Sequence, residues 1–414
     1  MGKVQEMRKF AGLLFLLLLG GCGGSQSSGL GAPAPGAGGG AAAKRGDVVS
    51  YTLIRDYGEL SMDIVLDKIE EESGISMSVT SDVSLYKVVY WTVDLKGKLV
   101  QATGAVAIPD TPTNPALVSY QHSTVTDKSN VPSQNNDEAW AVLAIFAATG
   151  NYVVSMADYL GLGGSPGLHP YMSAESEATA SLDMMRASRS VCNAVSVSLA
   201  KKSFLSGYSQ GGHATMALAR LIESTALSEF PLSGVAPGDG PYDLSDTELH
   251  FAFNQPGPDT SVFLAYLVLA YREYFGILPN LKDVFVSPWD TKIESLFDGT
   301  HDISDIADTI PHQLTDLFTT DFINNTLHQT GNALVAKLKE NDVWQWLPKT
   351  HVTFYHAKSD NIVAYANAQK AYNYMHAAGS DVTLVDTATG IDHETGFFYA
   401  IPDARLWFDT LSTD

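Results

Sequence analysis

The stretch Gly207-Tyr208-Ser209-Gln210-Gly211-Gly212 decides the fold. Lys202 to Leu205 leads into it as a short apolar strand, and His213 to Ser224 leaves it with helical spacing, so the order is strand, tight turn, helix. Working outward, Leu232 to Ala236 and His351 to His356 read as further strands, with Val382 to Val385 the last. On the N-terminal side, Tyr86 to Val93 and Leu99 to Ile108 pair about a turn at Asp94 to Lys98. Ala116 to Tyr120 and Tyr152 to Ala157 are strands separated by a helix over Glu138 to Thr149, and Ala174 to Val195 is a long helix. Val363 to Ala378 and Phe397 to Leu411 read as the closing helices. This alternation predicts an α/β fold, a mostly parallel sheet flanked by helices. Between Leu244 and Leu347 the strand signal vanishes, and Val262 to Phe275 is strongly apolar, which predicts an inserted helical lid at about 244–347.

A G-x-S-x-G turn exposes its serine on a strained strand-to-helix corner, but the pattern alone is weak in a chain with 35 glycines. It in fact occurs twice, since Gly163-Gly164-Ser165-Pro166-Gly167 also fits. Backbone chemistry separates the two. The residue after such a nucleophile must donate its N–H to the developing oxyanion, and Pro166 has none. Ser209 is therefore the expected nucleophile and Gln210 the first oxyanion donor.

A serine hydroxyl needs an imidazole base and a carboxylate to orient it. The carboxylate belongs in a loop at the carboxyl end of a later strand, where open α/β sheets assemble their sites. Asp360, just after His351 to His356, fits that place; Asp239, Asp243, Asp392 and Glu394 are its rivals. Of eleven histidines only His393 lies beyond Val385, in the loop ahead of the last helix. His213 reads as packed behind the nucleophile, His356 as the end of a strand and His169 as a turn residue. The loop after the strand at 116–120 holds His122 and Ser123, either of which could give the second oxyanion N–H. No HExxH and no paired Cys/His cluster is present, so no metal site is expected.

Tyr120-Gln121-His122-Ser123-Thr124, Asp158-Tyr159-Leu160-Gly161-Leu162-Gly163 with His169-Pro170-Tyr171, and Gly207 to Gly212 together resemble the secretory lipases typified by fungal lipase A, particularly their bacterial members. The resemblance covers roughly Tyr86 to the C-terminus, and Asp360 and His393 fall at that family's order and spacing. It implies an α/β-hydrolase core, a helical lid after the sixth expected strand, and hydrolysis of carboxylic esters without a cofactor. The substrate would be a small-molecule or lipid ester. Bacterial members usually carry Gly where this chain has Ser123, whose side chain would narrow the oxyanion loop. A peptidase or acyltransferase on the same three residues, or a non-catalytic binding lipoprotein, are the alternatives.

The N-terminus carries a different message. Lys3, Arg8 and Lys9 precede the apolar run Phe10 to Leu19, too short to span a bilayer core of about 30 Å, so residues 1–21 read as a signal peptide. Leu19-Gly20-Gly21-Cys22 resembles the bacterial lipobox, which implies lipidation of Cys22 and, with Gly23 following, an outer-membrane destination. Residues 22–43, the cysteine and then almost wholly Gly, Ala, Ser and Pro, form an expected flexible tether. Residues 44–414 are the expected catalytic domain. Lipidation of Cys22 leaves Cys192 alone, so the domain must stand on its core, which suits 45% hydrophobic residues. A formal net charge of −21 argues against nucleic acid as a partner and leaves the lipid as the membrane attachment. Oligomeric state is not legible.

Overall fold

The computed structural model describes residues 42–412 except 329, 330 and 388. The expected signal peptide, Cys22 and nearly all of the tether lie outside the described residues. Strands β1 (Val48–Tyr57), β2 (Val83–Val93), β3 (Leu99–Pro109), β4 (Ala116–Gln121), β5 (Tyr152–Ala157), β6 (Ser203–Tyr208), β7 (Leu232–Gly238), β8 (Val352–His356) and β9 (Val382–Asp386) form one sheet. Its order is β1-β2-β3-β5-β4-β6-β7-β8-β9. The pairs from β1 to β3, and β3 with β5, are antiparallel, and every pair from β5 onward is parallel. In β4, β5 and β6 all six residues are buried. Helices cover both of their faces, which explains why these strands read as continuous apolar runs.

Helices α1 (Glu59–Ser73), α2 (Asp137–Leu143) and α3 (Ala174–Ala194) precede the elbow, and α4 (Gln210–Thr225) follows it. α5 (Leu249–Asn254) and α6 (Pro258–Phe275) open the β7–β8 connection, while α7 (Ala366–Ala377) and α8 (His393–Ser412) close the chain. One core layer packs residues of α3, α4 and α7 on the sheet; the other packs α1, α2 and α8 on its opposite face. A third apolar cluster belongs to the β7–β8 connection and includes Val262, Tyr266, Val268 and Leu269 of α6. That connection runs from a π-turn at Leu244–Glu248 through short helices to Glu340, all helical or irregular apart from an isolated bridge between Phe285 and Phe318.

Four local readings change. The last helix, expected from Phe397, begins at His393, so the histidine expected in the loop ahead of it opens α8. β1 and α1 precede Tyr86, where the first strand was expected to begin, so the sheet gains an edge strand and each later strand moves up by one. The helix expected from Glu138 to Thr149 is an α-helix only to Leu143 and continues as a π-turn over Ala144–Ala148. The helix expected from Val363 begins at Ala366, because Asp360 Oδ1 accepts the N–H groups of Ile362 and Val363 and holds them in a turn.

β4 lies between β5 and β6, so the chain leaves β4 toward one edge of the sheet and returns on the other side. Such a reversal opens a crevice at the carboxyl ends of the two strands. The loop after β4 and the turn after β6 meet there.

Candidate active site

β6 ends at Tyr208 and α4 starts at Gln210, leaving Ser209 alone at the corner with φ 58° and ψ −120°. A left-handed conformation on a non-glycine residue is strained, and here neighbouring glycines permit it. A Cβ on Gly211 would stand 1.8 Å from the Gln121 carbonyl oxygen, and one on Gly212 would stand 2.5 Å from that of Gly238. α4 therefore packs directly on the ends of β4 and β7. Gln210 opens α4, so its N–H has no carbonyl one turn back and is free for a ligand.

The other match to the serine pattern is a different object. Ser165 is buried in a turn where its N–H donates to Leu162 O, and a Cβ on Gly163 would lie 2.2 Å from Asp158 Oδ2. No helix follows it. These glycines serve the seating of the turn on Asp158 and Thr103.

Asp360 and His393 meet: His393 Nδ1 lies 2.7 Å from Asp360 Oδ2, and the His393 N–H donates to Asn361 Oδ1 at 3.2 Å. Burial works against a charged His393, but Asp360 first, then Asp239 and Glu248, outweigh it and raise its pKa to about 9. Burial likewise opposes a charged Asp360, yet His393 and His356 hold its carboxyl well below the usual range. Two of the rivals are engaged elsewhere. Asp243 Oδ2 pairs with Lys370 at 2.5 Å, and Asp392 accepts the N–H of Thr395 in the first turn of α8.

Several supporting groups were not legible. The Tyr208 hydroxyl lies in hydrogen-bond contact with both Asp239 and the His393 carbonyl, tying the residue before Ser209 to the residue carrying the imidazole. Asp239 also accepts the Ala357 N–H at 2.9 Å, and burial pushes its own carboxyl up. His356, expected merely to end a strand, is buried with Nε2 3.5 Å from Asp360 Oδ2 and 3.8 Å from Asp239 Oδ1. Beneath the elbow, Gln210 Nε2 donates to Glu177 Oε1 at 2.8 Å and lies 2.7 Å from His169 Nε2. His213 Nδ1 lies 2.7 Å from the other Glu177 oxygen, so the packed reading holds for His213, while His169, expected only in a turn, is buried against Gln210. The G-Y-S-Q-G-G string itself contained two of these members, Tyr208 and Gln210, without marking them.

The two loop candidates for the second oxyanion donor part ways. The Ser123 N–H donates to both Glu138 carboxylate oxygens, at 3.0 and 3.2 Å, and its hydroxyl donates to Glu138 as well. That corrects the expectation for Ser123, whose N–H is spent on a carboxylate of α2. The backbone N–H of His122 enters no hydrogen bond among the described residues, while its ring lies against Ser123 O and Asp158 O.

Asp239, His356 and Asp360 bring one ligand-type atom each within 4.8 Å. His356 Nε2 donates to Val363 O at 3.1 Å, however, and a protonated nitrogen has no lone pair for a metal. Ser209 opens on a small cavity of about 70 Å³ lined by Tyr171, Leu244, Leu264, Leu267 and Val363 among others. The β7–β8 connection thus supplies much of its wall.

Known proteins share this fold. A Legionella pneumophila protein described as a hydrolase superposes with a TM-score of 0.84 at 29% identity, over 89% of this chain and 98% of its own. The rice cell wall degrading esterase LipA from Xanthomonas oryzae does so with 0.78 at 29% identity, over 88% and 96%. Candida antarctica lipase A shares the fold at 21% identity, with a TM-score of 0.60 over 84% of this chain and 78% of that one. Among curated proteins none matches the sequence. Residues 134–411 match the family model described as secretory lipase. With two thirds of its length under that model and an α/β-hydrolase sheet around the serine elbow, the chain belongs to the secretory lipase family and is a carboxylic ester hydrolase.

Proposed function

We propose that the protein cleaves its ester through a Ser209–His393–Asp360 triad and an acyl-enzyme. The observation that carries this reading is the 2.7 Å contact of His393 with Asp360, which joins the loop after β8 to the first residue of α8. His393 Nε2 takes the Ser209 proton, Oγ attacks the acyl carbon, and the N–H groups of Gln210 and His122 receive the oxyanion. The same imidazole hands its proton to the leaving alcohol, and water then repeats the cycle on the acyl-enzyme. The helical β7–β8 connection acts as the lid, its apolar lining receiving the acyl chain. Residues 1–21 would export the chain and a lipid on Cys22 would hold it at the outer membrane, with small or lipid esters as its partners.

The test is covalent labelling with a fluorophosphonate, alongside turnover of p-nitrophenyl butyrate with a peptide anilide as control. Ser209→Ala abolishes labelling and turnover, whereas Ser165→Ala keeps both. Asp360→Asn lowers kcat by about 10³–10⁴, since the imidazole then rests in the wrong tautomer. Full activity in Ser209→Ala, or faster anilide than ester cleavage, rejects the reading.

A further inference from the structure

Glu248 is the one charged residue among the described residues lining the cavity that holds Ser209. It ends the π-turn at the start of the β7–β8 connection. Its Oε2 is occupied, accepting the Ala364 N–H at 3.1 Å and Asn367 Nδ2 at 2.7 Å. Its Oε1 has no protein partner among the described residues, and no lysine or arginine pairs with the carboxylate. Burial, with Asp360 adding, pushes this carboxyl up to about 7, against the pull of Ala364, Asn367 and His356.

An acid in an otherwise apolar pocket is costly unless its oxygens are hydrogen-bonded. Bracing the turn after Asp360 accounts for Oε2 and leaves Oε1 over. A site built to bond a substrate hydroxyl discriminates strongly against analogues that lack it, which gives the spare oxygen a use. We propose that Glu248 is a specificity-determining residue whose Oε1 accepts a hydrogen bond from a hydroxyl on the acyl chain, selecting hydroxyacyl esters over plain acyl esters. This rests on Ser209 being the nucleophile of the preceding proposal.

The experiment compares kcat/KM for p-nitrophenyl 3-hydroxybutyrate over butyrate, and for 6-hydroxyhexanoate over hexanoate, in the full-length protein. In at least one pair the wild-type ratio is expected at or above one. Glu248→Leu should lower it about tenfold, and Glu248→Gln at least threefold. A folded variant, judged by wild-type-like melting and Ser209 labelling, whose ratios move by less than threefold overturns the proposal. Should neither variant fold, the wild-type ratios decide: a value below one in both pairs overturns it, a value at or above one in either supports it. Absence of fluorophosphonate labelling and of butyrate turnover in the wild type would instead sink the Ser209 triad proposal on which this one rests.

Discussion

In the proposed triad His393 must be neutral to take a proton, yet its surroundings favour the cation. The imidazole is raised from 6.5 to about 9 by Asp360, so at neutral pH most of the free enzyme holds it charged. kcat/KM for an ester is therefore expected to climb with pH on a limb centred near 9, which a pH–rate profile checks. Stability moves the other way. A pKa higher in the folded chain than in the unfolded one means that folding binds the proton more tightly. The gain is complete below about pH 6.5 and lost as pH rises through about 9. Melting temperature should accordingly fall over that interval while activity rises, and His393→Gln should flatten both trends.

At the scale of single elements, α2 and α6 both act on the site. α2 reaches it through Glu138, which holds the Ser123 N–H and hydroxyl and accepts the Tyr120 hydroxyl at 2.7 Å. Glu138→Ala frees the loop carrying His122, so kcat should drop about 10–100-fold with KM moved much less, as steady-state kinetics would show. α6 borders the cavity with Phe263, Leu264 and Leu267. Each methylene of acyl chain buried there is worth up to about 0.8 kcal/mol, nearly fourfold, so kcat/KM should rise from acetyl to butyryl esters. Leu267→Ala should flatten that rise, and a profile peaking at acetate would remove α6 from acyl binding. These elements differ in how plainly the sequence announced them. β4 to β8 were legible because strands buried largely on both faces are runs of apolar residues. β1 was not, since most of its residues are exposed on a sheet edge. α1 carried a usable signal, Met62, Val65, Leu66 and Ile69 at helical spacing, that was passed over. The nucleophile, acid and base could be ordered along the chain, and Pro166 could be ruled on from backbone chemistry alone. Glu138, Asp239 and Glu248 could not be found that way, because their roles arise only where distant segments meet.

For the whole molecule, the question is where the folded body begins. Arg45 Nε donates to the buried Asp183 of α3 at 3.0 Å, and the Gly46 N–H donates to Trp91 O at 2.7 Å, so interactions with the core start immediately after Lys44. A chain starting at Lys44 is expected to be soluble and as active on p-nitrophenyl butyrate as the full-length protein, and Cys22→Ala to lose membrane partitioning while keeping turnover. Equal membrane partitioning of Cys22→Ala and the full-length protein would remove the anchor. No described helix is long and apolar enough to cross a membrane. One feature of the sheet also bears on time. β7 and β8 are neighbours in space, yet more than a hundred residues part them along the chain. Closing so long a loop is slow, and a polypeptide emerging N-terminus first meets this step late. Asp360 and His393 both lie beyond it. Ser209 is thus made long before the two residues that would activate it, and the nascent chain stays chemically silent until β8 and β9 dock and α8 follows.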